Sequence, residues 1–100
     1  MDTSYVYILT NTHHNVFYTG VTTNLVKRIF IHKNHVLKGF TQKYNVNKLV
    51  YYEKFYDVVD AIQAEKKIKR WKKLWKIQLI TQLNPLWEDL FNQFYSGGPA

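Results

Sequence analysis

The chain has no cysteine, one methionine, two prolines and four glycines among its 100 residues. Without cysteine there is no disulfide, no cysteine-ligated zinc and no thiol nucleophile. No apolar run approaches the roughly 20 residues that a membrane span needs. No signal-peptide pattern precedes Tyr5. Both absences point to a cytoplasmic protein. Acidic residues are scarce as well, with 7 Asp and Glu against 14 Lys and Arg.

What is abundant is cation and ring. The net charge of +7 and the pI near 9.6 are the footprint expected of a polyanion binder, nucleic acid first. Hydrophobic residues make up 46% of the chain and aromatic residues 17%. One domain of this length draws limited stability from burial, so its eight Tyr and three Trp are expected to supply much of the core area.

Residues 5–9 (YVYIL) and 15–19 (NVFYT) are β-branched and aromatic, which suits strands. The polar Thr10 to His14 connection reads as a hairpin loop. Gly20 is read as a place where the backbone takes a shape closed to other residues. Residues 23–37 read as a helix capped by Thr22, Thr23 or Asn24, with Leu25 and Ile29 on one face. Lys38-Gly39 ends it, and a polar loop runs from Phe40 to Lys48.

Residues 49–55 form a third strand. Asp57 opens a long helical stretch in which Ile62, Ile68, Trp71 and Trp75 recur. Its length predicts a break near Trp71–Lys73, although no Gly or Pro stands there. A short helix over Leu86 to Phe94 follows Asn84-Pro85. The order β-β-α-β-α-α is that of an α+β fold, a small, mostly antiparallel sheet flanked by helices. Residues 1–94 are expected to form a single domain and 95–100 a flexible tail.

Two strands in hairpin order bring Tyr7 beside Tyr18. Arg28 and His32, four apart on the following helix, share a face toward them. Phenols, a guanidinium and an imidazole together suit phosphate. Residues 66–76 read KKIKRWKKLWK, with seven cations in eleven positions. Lys66, Lys67, Lys69, Arg70, Lys72 and Lys73 are expected to track a phosphate backbone. Trp71 and Trp75 follow the helical apolar period and are expected in the core rather than as base-stacking platforms. A membrane-surface role for this helix is disfavoured, because its apolar face is needed for the core. His13 and His14 lack further ligands at metal-binding spacing.

The ordered set of motifs resembles the GIY-YIG nuclease superfamily, in its small stand-alone bacterial form. It comprises Tyr5-Val6-Tyr7, Tyr18-Thr19-Gly20 and Thr23-Asn24-Leu25-x-x-Arg28-x-x-x-His32. Further on it comprises Tyr52-Glu53, Ala61-Ile62-x-Ala64-Glu65-Lys66-x-Ile68-Lys69-x-Trp71 and Asn84-Pro85-x-Trp87-x-Asp89-Leu90. The similarity spans about residues 4–91. Tyr5 stands where the family's first Gly would be, and Thr19 replaces the Ile.

The resemblance implies a three-stranded antiparallel sheet and cleavage of DNA phosphodiesters, with repair or recombination as the setting. RNA stays open, and a monomer is favoured. It implies one Mg2+ or Mn2+ ion on Glu65, Arg28 on the scissile phosphate, and Tyr7 orienting water or phosphate. Tyr18 or His32 would take the proton, and Asn84 would be a supporting polar residue. A free phenol titrates near pH 10, so Tyr18 would need the cations around it to act as a base. Glu65 is the sole acidic residue between Asp60 and Glu88, although it also has Lys69 one turn on as a plain ion-pair partner. The competing reading is a non-catalytic module of the same fold that binds nucleic acid without cutting it.

Overall fold

The computed structural model describes residues 3–34, 39 and 43–95. Strands β1 (Ser4–Thr10) and β2 (Phe17–Thr22) form an antiparallel hairpin, and helix α1 (Leu25–Lys33) follows it. Strand β3 (Lys48–Phe55) pairs antiparallel with β1, giving the order β2-β1-β3. Helices α2 (Val58–Arg70) and α3 (Lys73–Leu83) come next, then a 3-10 helix over Leu90–Tyr95. The α+β fold and its antiparallel sheet are as expected.

Because β1 is central, both of its faces are covered. That is why it reads as an almost unbroken apolar run rather than an alternation. Val6 and Ile8 point to one face, where they pack with Val50, Ala61, Ile68 and Ile80 beneath α2 and α3. Tyr7 and Leu9 point to the other, with Leu25 and Ile29 of α1 and Phe91 of the 3-10 helix. The sheet is thus the middle of three layers. A bulge between Ile8 and Leu9 shifts the pairing with β3.

Local chemistry sets the ends of the elements. Asn11 Oδ1 accepts from the backbone N–H groups of Asn15 and Val16 and closes the hairpin, with His14 in the left-handed region at φ 56°. Of the three candidate caps for α1, Asn24 serves, its side chain accepting from Lys27 N at 3.1 Å. Helix α1 ends at Lys33 with Asn34 as its cap. Residues 35–38 and 40–42 lie outside the described residues, and with them the expected extension to 37 and most of the loop from Phe40. Asp57 caps α2 by accepting from Val59 N at 2.8 Å.

The expected break falls at Trp71 and Lys72, both in extended conformation at ψ 148° and 151°. The last helix differs from expectation. Residues 86–89 are not helical; Asn84 Oδ1 accepts from Glu88 N and holds them in a turn before the 3-10 segment begins. Of the expected tail, residues 96–100 lie outside the described residues.

The apolar stripe expected on α2 and α3 is narrower than predicted. Ala61, Glu65 and Ile68 are the buried positions of α2, while Ile62 is 37% exposed and Trp75 51%. Trp71 packs half-buried against the core and Trp75 stands outside it. The reason is the break after Arg70, which resets the helical phase and turns Trp75 away from the face that Ile68 shares.

Candidate active site

Strand parity places Tyr7, Tyr18 and Gly20 on one face of the hairpin, since Tyr7 pairs with Gly20 and Leu9 with Tyr18. Gly20 is an ordinary extended strand residue. Its service is room, because a Cβ there would collide with the ring and hydroxyl of Tyr7. The Tyr7 ring therefore leans over the bare backbone of Gly20 toward the edge strand. No special backbone shape is involved, contrary to the sequence expectation.

Helix α1 covers this face and completes the cluster. The Tyr7 hydroxyl and His32 Nε2 share a hydrogen bond of 3.2 Å, with both residues buried. The Tyr7 and Tyr18 ring centroids are 6.2 Å apart, those of Tyr7 and His32 5.9 Å, and those of Tyr18 and His32 5.4 Å. Arg28, one turn before His32, lies close enough for its charge to bear on both Tyr7 and His32. The four residues predicted to meet do meet.

Their electrostatics divide the work. Burial pushes the Tyr7 phenol far above its ordinary pKa, and the neighbouring Tyr18 adds to this, while Arg28 opposes it. Tyr7 therefore keeps its proton at neutral pH. Burial, followed by the Arg28 charge, holds His32 below the ordinary imidazole value, so it is neutral and able to accept a proton.

Glu65 approaches from the opposite layer. It sits on the buried side of α2, over the sheet face that carries Val6 and Ile8. Its Oε2 meets Lys69 Nζ at 2.6 Å. Lys69 in turn lies within the field of the Tyr18 phenol; its pKa is raised chiefly by the hydrogen bond to Glu65, against desolvation, and further by the charges of Glu65 and Tyr18. Lys69, paired with Glu65, is thus the residue of α2 that feels the ring cluster across the sheet. The i,i+4 pair anticipated as the plain alternative exists.

Asn84 is not gathered into the ring cluster by any of its hydrogen bonds. Its Nδ2 donates to Val50 O at 3.1 Å and to Glu88 O at 2.9 Å, and its Oδ1 accepts from Glu88 N at 3.0 Å. It is a strut between β3 and the C-terminal segment. Both of its amide hydrogens are committed to backbone carbonyls.

Two features escaped the sequence. Lys33 pairs with Asp89 and donates to Asn47 O at 2.9 Å, while Asp89 Oδ1 accepts from Leu49 N and Phe91 N. This clamp ties α1 to β3 and to the 3-10 helix. Residues 56 positions apart carry no local signal of such a pairing. Thr19, at the family's Ile position, is buried, and its hydroxyl has no hydrogen-bond partner among the described residues.

The predicted cations Lys66, Lys67, Lys69, Arg70, Lys72 and Lys73 all lie exposed around the α2–α3 break. Lys73 also donates to Asn15 O at 2.7 Å and so braces the hairpin loop. Among the described residues, no helix is long and apolar enough to cross a membrane, and no three His, Asp or Glu side chains form a metal cluster.

A sheet with helices on both faces, two tyrosines, an arginine and a histidine on one side, and a buried carboxylate on the helix of the other are the parts of a nuclease-type catalytic domain. The GIY-YIG catalytic domain family matches residues 3–78, and the chain belongs to that family. It is 40% identical over 78 residues to a UPF0213 protein of Clostridium perfringens, spanning 78% of this chain and 83% of that one. It also resembles the solution NMR structure of a UPF0213 protein from Bacillus halodurans. The TM-score is 0.56 at 28% identity, covering 87% of this chain and 92% of the other.

Proposed function

We propose that this chain is a divalent-metal-dependent endonuclease that hydrolyses DNA phosphodiester bonds, selecting its target by structure in repair or recombination. The observation that supports this most is the Tyr7–Tyr18–His32 ring cluster with the Arg28 charge beside it. A strand tyrosine usually packs, but here four phosphate-handling groups gather at one place, Tyr7 and His32 buried and Tyr18 and Arg28 partly exposed.

Arg28 offers a fixed fork of donors to the oxygens of the scissile phosphate. Tyr7, kept protonated by burial and hydrogen-bonded to His32, orients water or phosphate. The proton of the attacking water goes to Tyr18, partly buried on the edge strand, or to the neutral His32 beside it. The exposed cations from Lys66 to Lys73 hold the flanking backbone.

Glu65 fits Mg2+ or Mn2+. It is a hard oxygen donor, 8% exposed, and it already holds a cation in Lys69. One carboxylate suffices for Mg2+, which keeps several waters and takes further oxygens from substrate phosphates. When bound, the ion supplies charge stabilisation to the phosphoryl and leaving oxygens. Glu65 would hold the ion, and Lys69, its partner in this structure, would then be available to the substrate backbone.

The test is a cleavage panel of single-stranded, duplex, flap and junction DNA, with RNA counterparts, in Mg2+, Mn2+ or EDTA. Nicking is expected only with metal, and it should vanish in Glu65→Ala and Arg28→Ala while Glu65→Ala still binds DNA. Full cleavage by Glu65→Ala defeats the metal-ligand assignment. Binding by the native chain without cleavage of any substrate favours the non-catalytic module.

A further inference from the structure

Trp71 ends α2 and Trp75 lies in the first turn of α3. Their rings stand at 81° with centroids 6.2 Å apart, so they form two walls of a corner. The corner opens into a groove of about 480 Å³ completed by Lys67, Gln78, Leu79 and Gln82. That volume lies within the roughly 300–1,000 Å³ of small-molecule sites. Trp75 is half-exposed at its mouth, and the Lys67 ammonium sits 6.0 Å from the Trp71 ring centroid.

A half-exposed tryptophan in a small domain is area withheld from the core, and this one is surrounded by cations. We propose that this groove is a second nucleic-acid site, a stacking pocket for an unpaired nucleotide of a single strand, lying apart from the ring cluster of the candidate active site. It deepens the nucleic-acid reading given above and rests on it, though not on cutting.

Three observations select that occupant. A flat base can lie against one indole while its edge meets the other, the offset and edge-on geometries that aromatic systems prefer. Gln78 and Gln82, one turn apart and both exposed, offer amide donors and acceptors to base edges. Seven cations between residues 66 and 76 suit the phosphates on either side. A duplex hides its base faces in the stack, so only an unpaired base can enter. A chain that stacks one unpaired base here while gripping backbone along Lys66–Lys73 would favour junctions between single and double strands.

The test uses the full chain in EDTA, so that it reads binding alone. Oligothymidylate and an abasic oligomer of the same length carry equal phosphates and differ only in bases. Oligothymidylate is expected to quench tryptophan fluorescence. Trp75→Ala is expected to weaken oligothymidylate binding about five- to a hundredfold while the abasic oligomer binds as before. Trp75→Phe should recover part of the loss. Circular dichroism confirms folding, which an exposed position permits.

Equal affinity of the native chain for the two oligomers overturns the proposal. So does self-association that Trp75→Ala abolishes without any base dependence, which would make the groove an interface between copies. Base-dependent binding without cleavage in the panel above would sink the nuclease reading and leave this site standing. Cleavage without base-dependent binding would do the reverse.

Discussion

The ring of Tyr7 occupies the space in front of Gly20 that a side chain would fill. The two residues are cross-strand partners in the hairpin. The phenol reaches His32 because its strand neighbour has no Cβ.

Gly20→Ala should therefore act through Tyr7. The buried ring must tilt away, giving up its contact with His32, and overpacking of this kind costs about 1–3 kcal/mol. Urea denaturation should show that loss, and the ring resonances of Tyr7 and His32 should shift with it. Unchanged stability and unchanged ring shifts would mean that the phenol is held elsewhere.

Stability should fall in mild acid. His32 has a folded pKa below its unfolded value of about 6.5, so the native state binds the proton less readily than the unfolded chain. The stabilisation from a neutral His32 is complete above that unfolded value and is lost as pH drops through the folded one. His14, lowered by desolvation and then by Lys48 and His13, adds in the same direction. Denaturation midpoints measured against pH, with imidazole NMR to separate the two histidines, check this. A His32 that titrates at or above the ordinary value would contradict it. The same titration separates the two candidate bases, since a rate limb following the His32 titration assigns the proton to His32 and its absence assigns it to Tyr18.

Asn84→Ala should destabilise rather than merely slow the protein. It strips partners from Val50 O, Glu88 O and Glu88 N. Each buried polar group left unsatisfied costs about 1–3 kcal/mol, and water reaching the Glu88 side lowers the total, so a loss of about 2–4 kcal/mol is expected by thermal or urea unfolding. Native-like stability would show that the strut is dispensable.

The α2–α3 break was legible without any Gly or Pro, because one uninterrupted helix would have been too long for so small a domain. Where the rings then pointed was not legible. Trp75 follows the apolar period when residues 57–80 are read as a single helix, but the two extended residues at the break change the phase. The turn over residues 86–89 was misread for a similar reason. It depends on Asn84, whose hydrogen-bond partners come from β3 and from Glu88.

From the order of its residues alone, this chain already declares its family, its antiparallel sheet and the meeting of Tyr7, Tyr18, Arg28 and His32. Those follow from strand alternation, helical spacing and a short hairpin, all of which act locally. Only the tertiary structure could decide that Gly20 makes room for Tyr7, that Asn84 and the Lys33–Asp89 clamp are struts, and that Glu65 is buried in the far layer with Lys69 as its partner. Those outcomes depend on which distant groups share a volume, and packing settles that.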